Sequence, residues 1–214
     1  MGLKELLELG EKIKSEVEGT IQDEIKSTMT AFGSMINQES LSKLGIHPAY
    51  ASSPITTGYA LWLELEKKGA KSLEELKLSE PDIRKRLMKQ NIEDGIAFGD
   101  EVRTKGYPIV IVPGIFFAKN WTQEHYMGLW EPVIIQYADT IVYNDNFHYS
   151  DGCVEEFLIG LTHDKKLCGR KDLAVLNPKD EIIKIENAMN HMEKISGITP
   201  TKMFNNYKKI CALI

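Results

Sequence analysis

Apolar residues recur every three or four positions through Ile13, Val17, Ile21, Ile25, Met29, Phe32 and Ile36, which draws one stripe down a helix. Residues 1–45 are therefore expected to form an amphipathic helical arm, interrupted near Gly19. Such a stripe has to be covered, either by the chain's own domain or by a second copy of it. The second option gives the expectation of a homo-oligomer.

After the arm the pattern changes period. "IHPAYASSPITTG", residues 46–58, reads as a short strand followed by a loop of small residues, and "YALWLELEKKG" reads as a helix. The charged stretch near 67–82 reads as an insertion, with Ser72 and Glu75 forming one capping box and Ser79 ahead of Pro81 and Asp82 starting another helix. A helix from Ile83 to Val102 precedes the apolar strand "IVIVP" at 109–113, and "QEHYMGLWEPVIIQYAD" is a helix leading into the strand "TIVYN". A further strand is expected at "DLAVLNP" and a helix at "DEIIKIENAMNHMEKISG".

Strands alternating with helices predict an α/β fold, a flavodoxin- or Rossmann-like parallel sheet sandwiched by helices over residues 46–214, with an N-terminal helical extension. Sheets of this kind bind ligands at the carboxyl ends of their strands. The loops after Tyr50, Val112 and Val142 are thus the places to look.

Composition narrows the function. Hydrophobic residues make up 43% and charged residues 27% of the 214, the balance of a chain that folds. A net charge of -5 gives no general pull toward nucleic acid or anionic lipid. No apolar run is long enough to span a bilayer, and the acidic, amphipathic start is unlike a signal peptide, so a cytoplasmic protein without membrane or nucleic-acid partners is expected. Cys153, Cys168 and Cys211 lack CxxC spacing, and adding His163 matches no usual zinc site, so neither disulfides nor a metal is expected.

The stretch with chemical content is "YSDGCVEEFLIGL", residues 149–161. A helix starting near Gly152 puts Cys153, Val154, Phe157, Leu158 and Leu161 on one buried face. Glu155 then points well away, while Glu156 sits beside the apolar edge with Gly152 a turn before it and Gly160 a turn after. The two glycines would leave room for a ligand, and the helix N-terminus would help keep the carboxylate ionised.

"YASSPITTG", "NIEDGIAFGDEVRTKGYPIVIVP", "LWEPVIIQYADTIVY" and above all "SDGCVEEF", in that order, resemble the nucleoside 2-deoxyribosyltransferase superfamily over about residues 47–165. The similarity is greatest to its phage-associated branch with an S-x-G-C-x-x-E signature. The resemblance implies that Glu156 is the nucleophile that attacks the anomeric carbon of a nucleoside or nucleotide, and that Tyr50 sits beside it. It implies a phosphate contact at Ser150, which tilts the substrate toward a nucleotide. The family aspartate that assists the leaving base falls here on Glu131, one methylene longer. No cofactor is implied, and neighbouring subunits of that superfamily commonly complete each other's pockets.

The remaining candidates are ligand contacts. His148 precedes the motif and could face a ligand or donate a proton, although a lone loop histidine is commonly solvated. Trp121, Tyr126 and Trp130 could stack on a base or pack a core. Pro54 and Thr56 lie in "SSPITTG", which could cradle a phosphate or sugar, as could the backbone at Gly152. Together these give the expectation of an enzyme that cleaves the N-glycosidic bond of a nucleoside 5′-monophosphate or deoxynucleoside, as hydrolase or transferase. The alternative is a non-catalytic module that binds and senses a nucleotide.

Overall fold

The computed structural model describes residues 3–36 and 38–214, with side chains described over 18–36 and 39–214. Four strands, β1 (Ala49–Ser52), β2 (Val110–Ile111), β3 (Thr140–Tyr143) and β4 (Lys166–Gly169), form one sheet in the order β2-β1-β3-β4. All pairs are parallel, and Ser52 lies opposite Tyr143 at the carboxyl edge. Every residue of β1 and β3 is buried, as expected for strands covered on both faces.

The strands alternate between two cores. Tyr50, Ile111, Ile141, Tyr143 and Leu167 join the larger one, under α6 (Gln123–Tyr137) and α7 (Asp151–Thr162). Ala49, Ala51, Val110, Val142 and Cys168 join the smaller, covered by Phe98 and Val102 of α5 (Ile83–Thr104). The strand order steps one way from β1 to β2 and the other way afterwards. Crossovers of constant hand therefore need α5 on one face and α6 and α7 on the other, which is the arrangement found. The step reverses between β1 and β3, where ligand sites form in open parallel sheets.

The helix α1 (Leu3–Met35) is the expected arm, and the short α2 (Gln38–Lys43) follows it. Ile21, Ile25 and Ile36 are buried in the larger core, with Met29 and Phe32 partly buried against it. Ile13 and Val17 lie outside the described side chains. No break occurs at Gly19, which is helical. Polar ties reinforce the apolar seam: His125 Nε2 meets Glu18 at 3.0 Å and Trp121 Nε1 donates to Glu24 Oε2 at 2.9 Å. The chain's own α6 thus covers the described part of the stripe.

Between α3 (Tyr59–Lys68) and α5, the charged stretch forms α4 (Leu73–Ser79), whose Leu76 completes an apolar cluster with Leu61, Leu65, Ile83 and Leu87. Ser72 accepts from Glu75 N as expected, but the Glu75 carboxylate takes the Lys71 N–H, so the box closes one residue early. Ser79 ends α4, and Asp82 makes no side-chain cap at the start of α5.

The strand expected at "DLAVLNP" is not formed. Val175 makes a single antiparallel bridge to Cys168 and is exposed, whereas the fourth strand is "KLCG". Two inward residues, Leu167 and Cys168, suffice because each core needs only one of them. The chain closes with α8 (Pro178–Ser196) and α9 (Thr201–Leu213).

Candidate active site

Ser150 caps α7, its hydroxyl accepting from Cys153 N. From there, 100° per residue separates the two glutamates. Glu155 turns outward and pairs with Lys202 Nζ of α9 at 2.8 Å. Glu156 turns inward onto the sheet and is only 6% exposed.

Two hydroxyls of β1 receive it. Tyr50 Oη donates to Glu156 Oε1 at 2.6 Å and Ser52 Oγ donates to Oε2 at 2.5 Å. The two donors are two residues apart, so the strand pleat presents them on one face, one to each carboxylate oxygen. Burial pushes the Glu156 carboxyl up to about 7, against the pull of the Ser52 and Tyr50 hydroxyls and with a push from the Glu155 charge. Burial and the Glu156 charge together hold the phenol of Tyr50 well above its ordinary range. The Cys153 thiol is pushed up to about 12 by burial and by Glu156, against a smaller pull from the Ser150 and Ser52 side chains, so it stays protonated. The fully buried Tyr143 phenol has no hydrogen-bond partner among the described residues and is likewise raised, by burial first and then by Glu156.

The glycines beside Glu156 differ in role. At Gly160 a Cβ would stand 2.6 Å from Leu167 Cδ2 and 2.8 Å from Ile141 Cδ1, so this glycine lets the helix lie on the sheet and leaves no room for a ligand. At Gly152 the nearest atom is Gln123 Nε2, 3.2 Å from such a Cβ, at the amino end of α7. Glu156 belongs to the second turn of α7, beyond the reach expected of the helix dipole, and the hydroxyl donors do the work that the N-terminus was expected to do. Leu158 and Leu161 are half-buried; Ile159 and Gly160 take the buried places instead.

The other face of the carboxyl edge holds a polar lock. Asn144 Nδ2 donates to Asp94 Oδ2 at 2.6 Å and Ser53 Oγ at 3.0 Å, while its Oδ1 accepts from Arg170 at 2.9 Å. Arg170 also reaches Glu101 Oε2 at 2.8 Å and lies over the Phe98 ring. Asn144 N donates to Ser52 O, so the lock fixes the strand end that carries Ser52. The loop beyond is pinned too: Asn91 Nδ2 donates to Ile55 O and Thr57 O. Pro54 packs on Gly58, whose φ of 124° excludes an ordinary side chain, and Thr56 is exposed at the loop tip.

The structure thus brings together Tyr50, Glu156 and Ser150, with Gly152 beside them. Glu131 does not join them: it is exposed on α6 while its neighbour Trp130 turns inward, and the hydrogen bonds of Glu156 go to Tyr50 and Ser52. Trp121 packs against Phe116 and Tyr126 and is tied to Glu24, so its ring belongs to the seam under α1. His148 is stacked on Phe147 and held at 2.5 Å by the buried Glu181 of α8, which fastens α8 to the turn before Ser150 and keeps this ring from a ligand. Ser52 and the Asn144 lock escaped the sequence reading, whereas Cys153 lies on the buried face expected of it. Ser52 carried a signal, being two residues after Tyr50 in a strand.

An open cleft of about 620 Å³ lies at the opposite edge of the sheet, lined by Ile46, His47, Tyr107, Asp139 and Lys166. It is far from the paired hydroxyls and carboxylate, and the chemistry at Glu156 outweighs its size. Among the described residues no group of three or more His, Cys, Asp or Glu side chains could hold a metal ion, and no helix is long and apolar enough to cross a membrane. Comparison with known proteins found no matching family model, curated protein or solved structure.

Proposed function

We propose that the chain cleaves the N-glycosidic bond of a nucleoside 5′-monophosphate or deoxynucleoside, with Glu156 as the nucleophile. The observation that carries this reading is a buried carboxylate, gripped by one hydroxyl on each oxygen, beside the point where the strand order reverses. A surface glutamate needs no such grip. The resemblance of "SDGCVEEF" to the 2-deoxyribosyltransferase superfamily selects the same residue independently of its burial.

In the ionised form a Glu156 oxygen attacks the anomeric carbon, the carbon–nitrogen bond breaks, and its electron pair leaves with the base, which takes up a proton. Water then attacks the glycosyl–Glu156 ester, surrenders a proton, and frees the carboxylate; a second base in place of water gives transfer. Tyr50 and Ser52 hold the carboxylate in one orientation by one hydrogen bond to each oxygen. They also favour its ionised form against the cost of burial. Ser150, at the amino end of α7, is suited to a phosphate by its hydroxyl and the helix N–H groups.

The test is a panel of nucleoside monophosphates and deoxynucleosides, with free base followed by chromatography. Release by the native chain and its loss in Glu156→Gln, by about a thousandfold or more, is the expected result. Binding of a nucleotide without release of base would replace the enzyme by a sensing module. Release unchanged in Glu156→Gln would remove Glu156 from the chemistry.

A further inference from the structure

The arm and the candidate nucleophile are joined by a chain of rings. Phe32 of α1 meets Trp130 of α6 edge-on, with ring centroids 6.0 Å apart and planes at 77°. Trp130 meets Tyr50 of β1 in the same manner at 6.1 Å and 65°. Tyr50 donates to Glu156 Oε1. Phe116 supports the middle of the chain, its ring 5.8 Å from that of Trp130.

The register of α1 on α6 is fixed at both ends of this contact. Glu18 meets His125, Ile25 lies against Gly128, and a Cβ on Gly33 would be 2.9 Å from Tyr137 Oη. These contacts advance along both helices together, so Phe32 cannot slide away from Trp130 without breaking several at once. A phenol has two free torsions, and edge-to-face contacts orient as well as bury. Buried between Trp130 and Glu156, the Tyr50 ring is set by both.

We infer that α1 is a positioning element for Glu156, acting through Phe32, Trp130 and Tyr50, so that the arm belongs to the site's machinery within one chain. The inference rests on Glu156 being the working carboxylate and not on which bond it attacks. Phe32 and Trp130 touch neither substrate nor carboxylate; they hold the donor in place. The groups whose charge or hydrogen bonds act on Glu156 are Tyr50 and Ser52 of β1, Tyr143 of β3, and Cys153 and, from its outward position, Glu155 of α7, and only Tyr50 is in the ring chain.

The experiment follows the Glu156 carboxyl by carbon-13 NMR titration of the full chain, without substrate, together with the nucleotide panel. Tyr50→Phe, which removes a donor to the anion, raises its midpoint by about one to two pH units. Phe32→Ala raises it in the same direction by about half a unit to one unit, and Phe32→Tyr, which keeps the ring, leaves it at the native value. Ile21→Ala is the control: it opens the same α1 seam outside the ring chain, lowers the melting temperature, and leaves the midpoint unmoved. Should Phe32→Ala fail to fold, Trp130→Phe gives a smaller upward shift. A midpoint unchanged in Phe32→Ala or Tyr50→Phe, or shifted equally by Ile21→Ala, overturns the inference. If the midpoints move as expected and no nucleotide is cleaved by the native chain, the proposed function fails and the positioning role stands.

Discussion

Tyr50 and Glu156, 106 residues apart in the chain, meet through a 2.6 Å hydrogen bond in which the phenol gives and the carboxylate receives. Because burial holds the carboxyl near 7, the ionised, attacking form gains population as pH rises through that value. Base release under conditions limited by the chemical step should therefore climb from pH 6 to pH 8 and then level off. Tyr50→Phe should move the climb to higher pH. A pH–rate profile for both proteins checks this, and a rate flat from pH 5 to 8 would contradict it.

The same carboxyl has a cost in stability, and its sign is determined. The folded-state pKa, about 7, lies above the ordinary 4.5, so no penalty exists while Glu156 is protonated in both states below about 4.5. The penalty grows between those two values and is complete above about 7, where it reaches the order of 3 kcal/mol. Glu156→Gln, which cannot ionise, should raise the melting temperature at pH 8 by about 5 °C or more and leave it nearly unchanged at pH 4. Equal shifts at both pH values would show that the gain is not electrostatic.

Glu155 and Glu131 are expected to be spectators of the chemistry. Glu155 is committed to Lys202, a partly exposed pair, and Glu131 faces solvent. Glu155→Gln should lower stability by no more than about 1 kcal/mol, and both Glu155→Gln and Glu131→Gln should keep base release within about threefold of native. A loss at Glu131→Gln comparable to that at Glu156→Gln would restore the acid role that the resemblance implies.

Ser150→Asp separates a nucleotide substrate from a nucleoside. Aspartate caps a helix as well as serine does, so the cap is kept. Its charge would oppose a phosphate at the amino end of α7, lowering kcat/KM for monophosphates by about tenfold or more relative to the matching nucleosides. Equal losses on both would leave the nucleoside as the substrate.

Elements with strong local signals were legible in the sequence: the arm's stripe, the buried runs of β1 and β3, and the helix that divides Glu155 from Glu156. "KLCG" was not, because a strand with one residue for each core carries almost no periodicity, and the more apolar "DLAVLNP" drew attention from it. Ser52 became visible only with its strand face, set by Tyr50. The lock at Asn144 had no local trace, since Asp94, Ser53 and Arg170 reach it from 50, 91 and 26 residues away. The exposure of Glu131 follows from which way α6 rolls, and that is fixed by α1 and the sheet together.

The missing side chain at Gly160 has a consequence for reach. With α7 pressed onto Ile141 and Leu167 there, and the Tyr143 hydroxyl 3.6 Å from where a Cβ would be, the carboxyl-terminal flank of Glu156 is shut. This glycine sets how close α7 rides on the sheet, and through that spacing how far the Glu156 carboxylate stands from the Tyr50 and Ser52 hydroxyls.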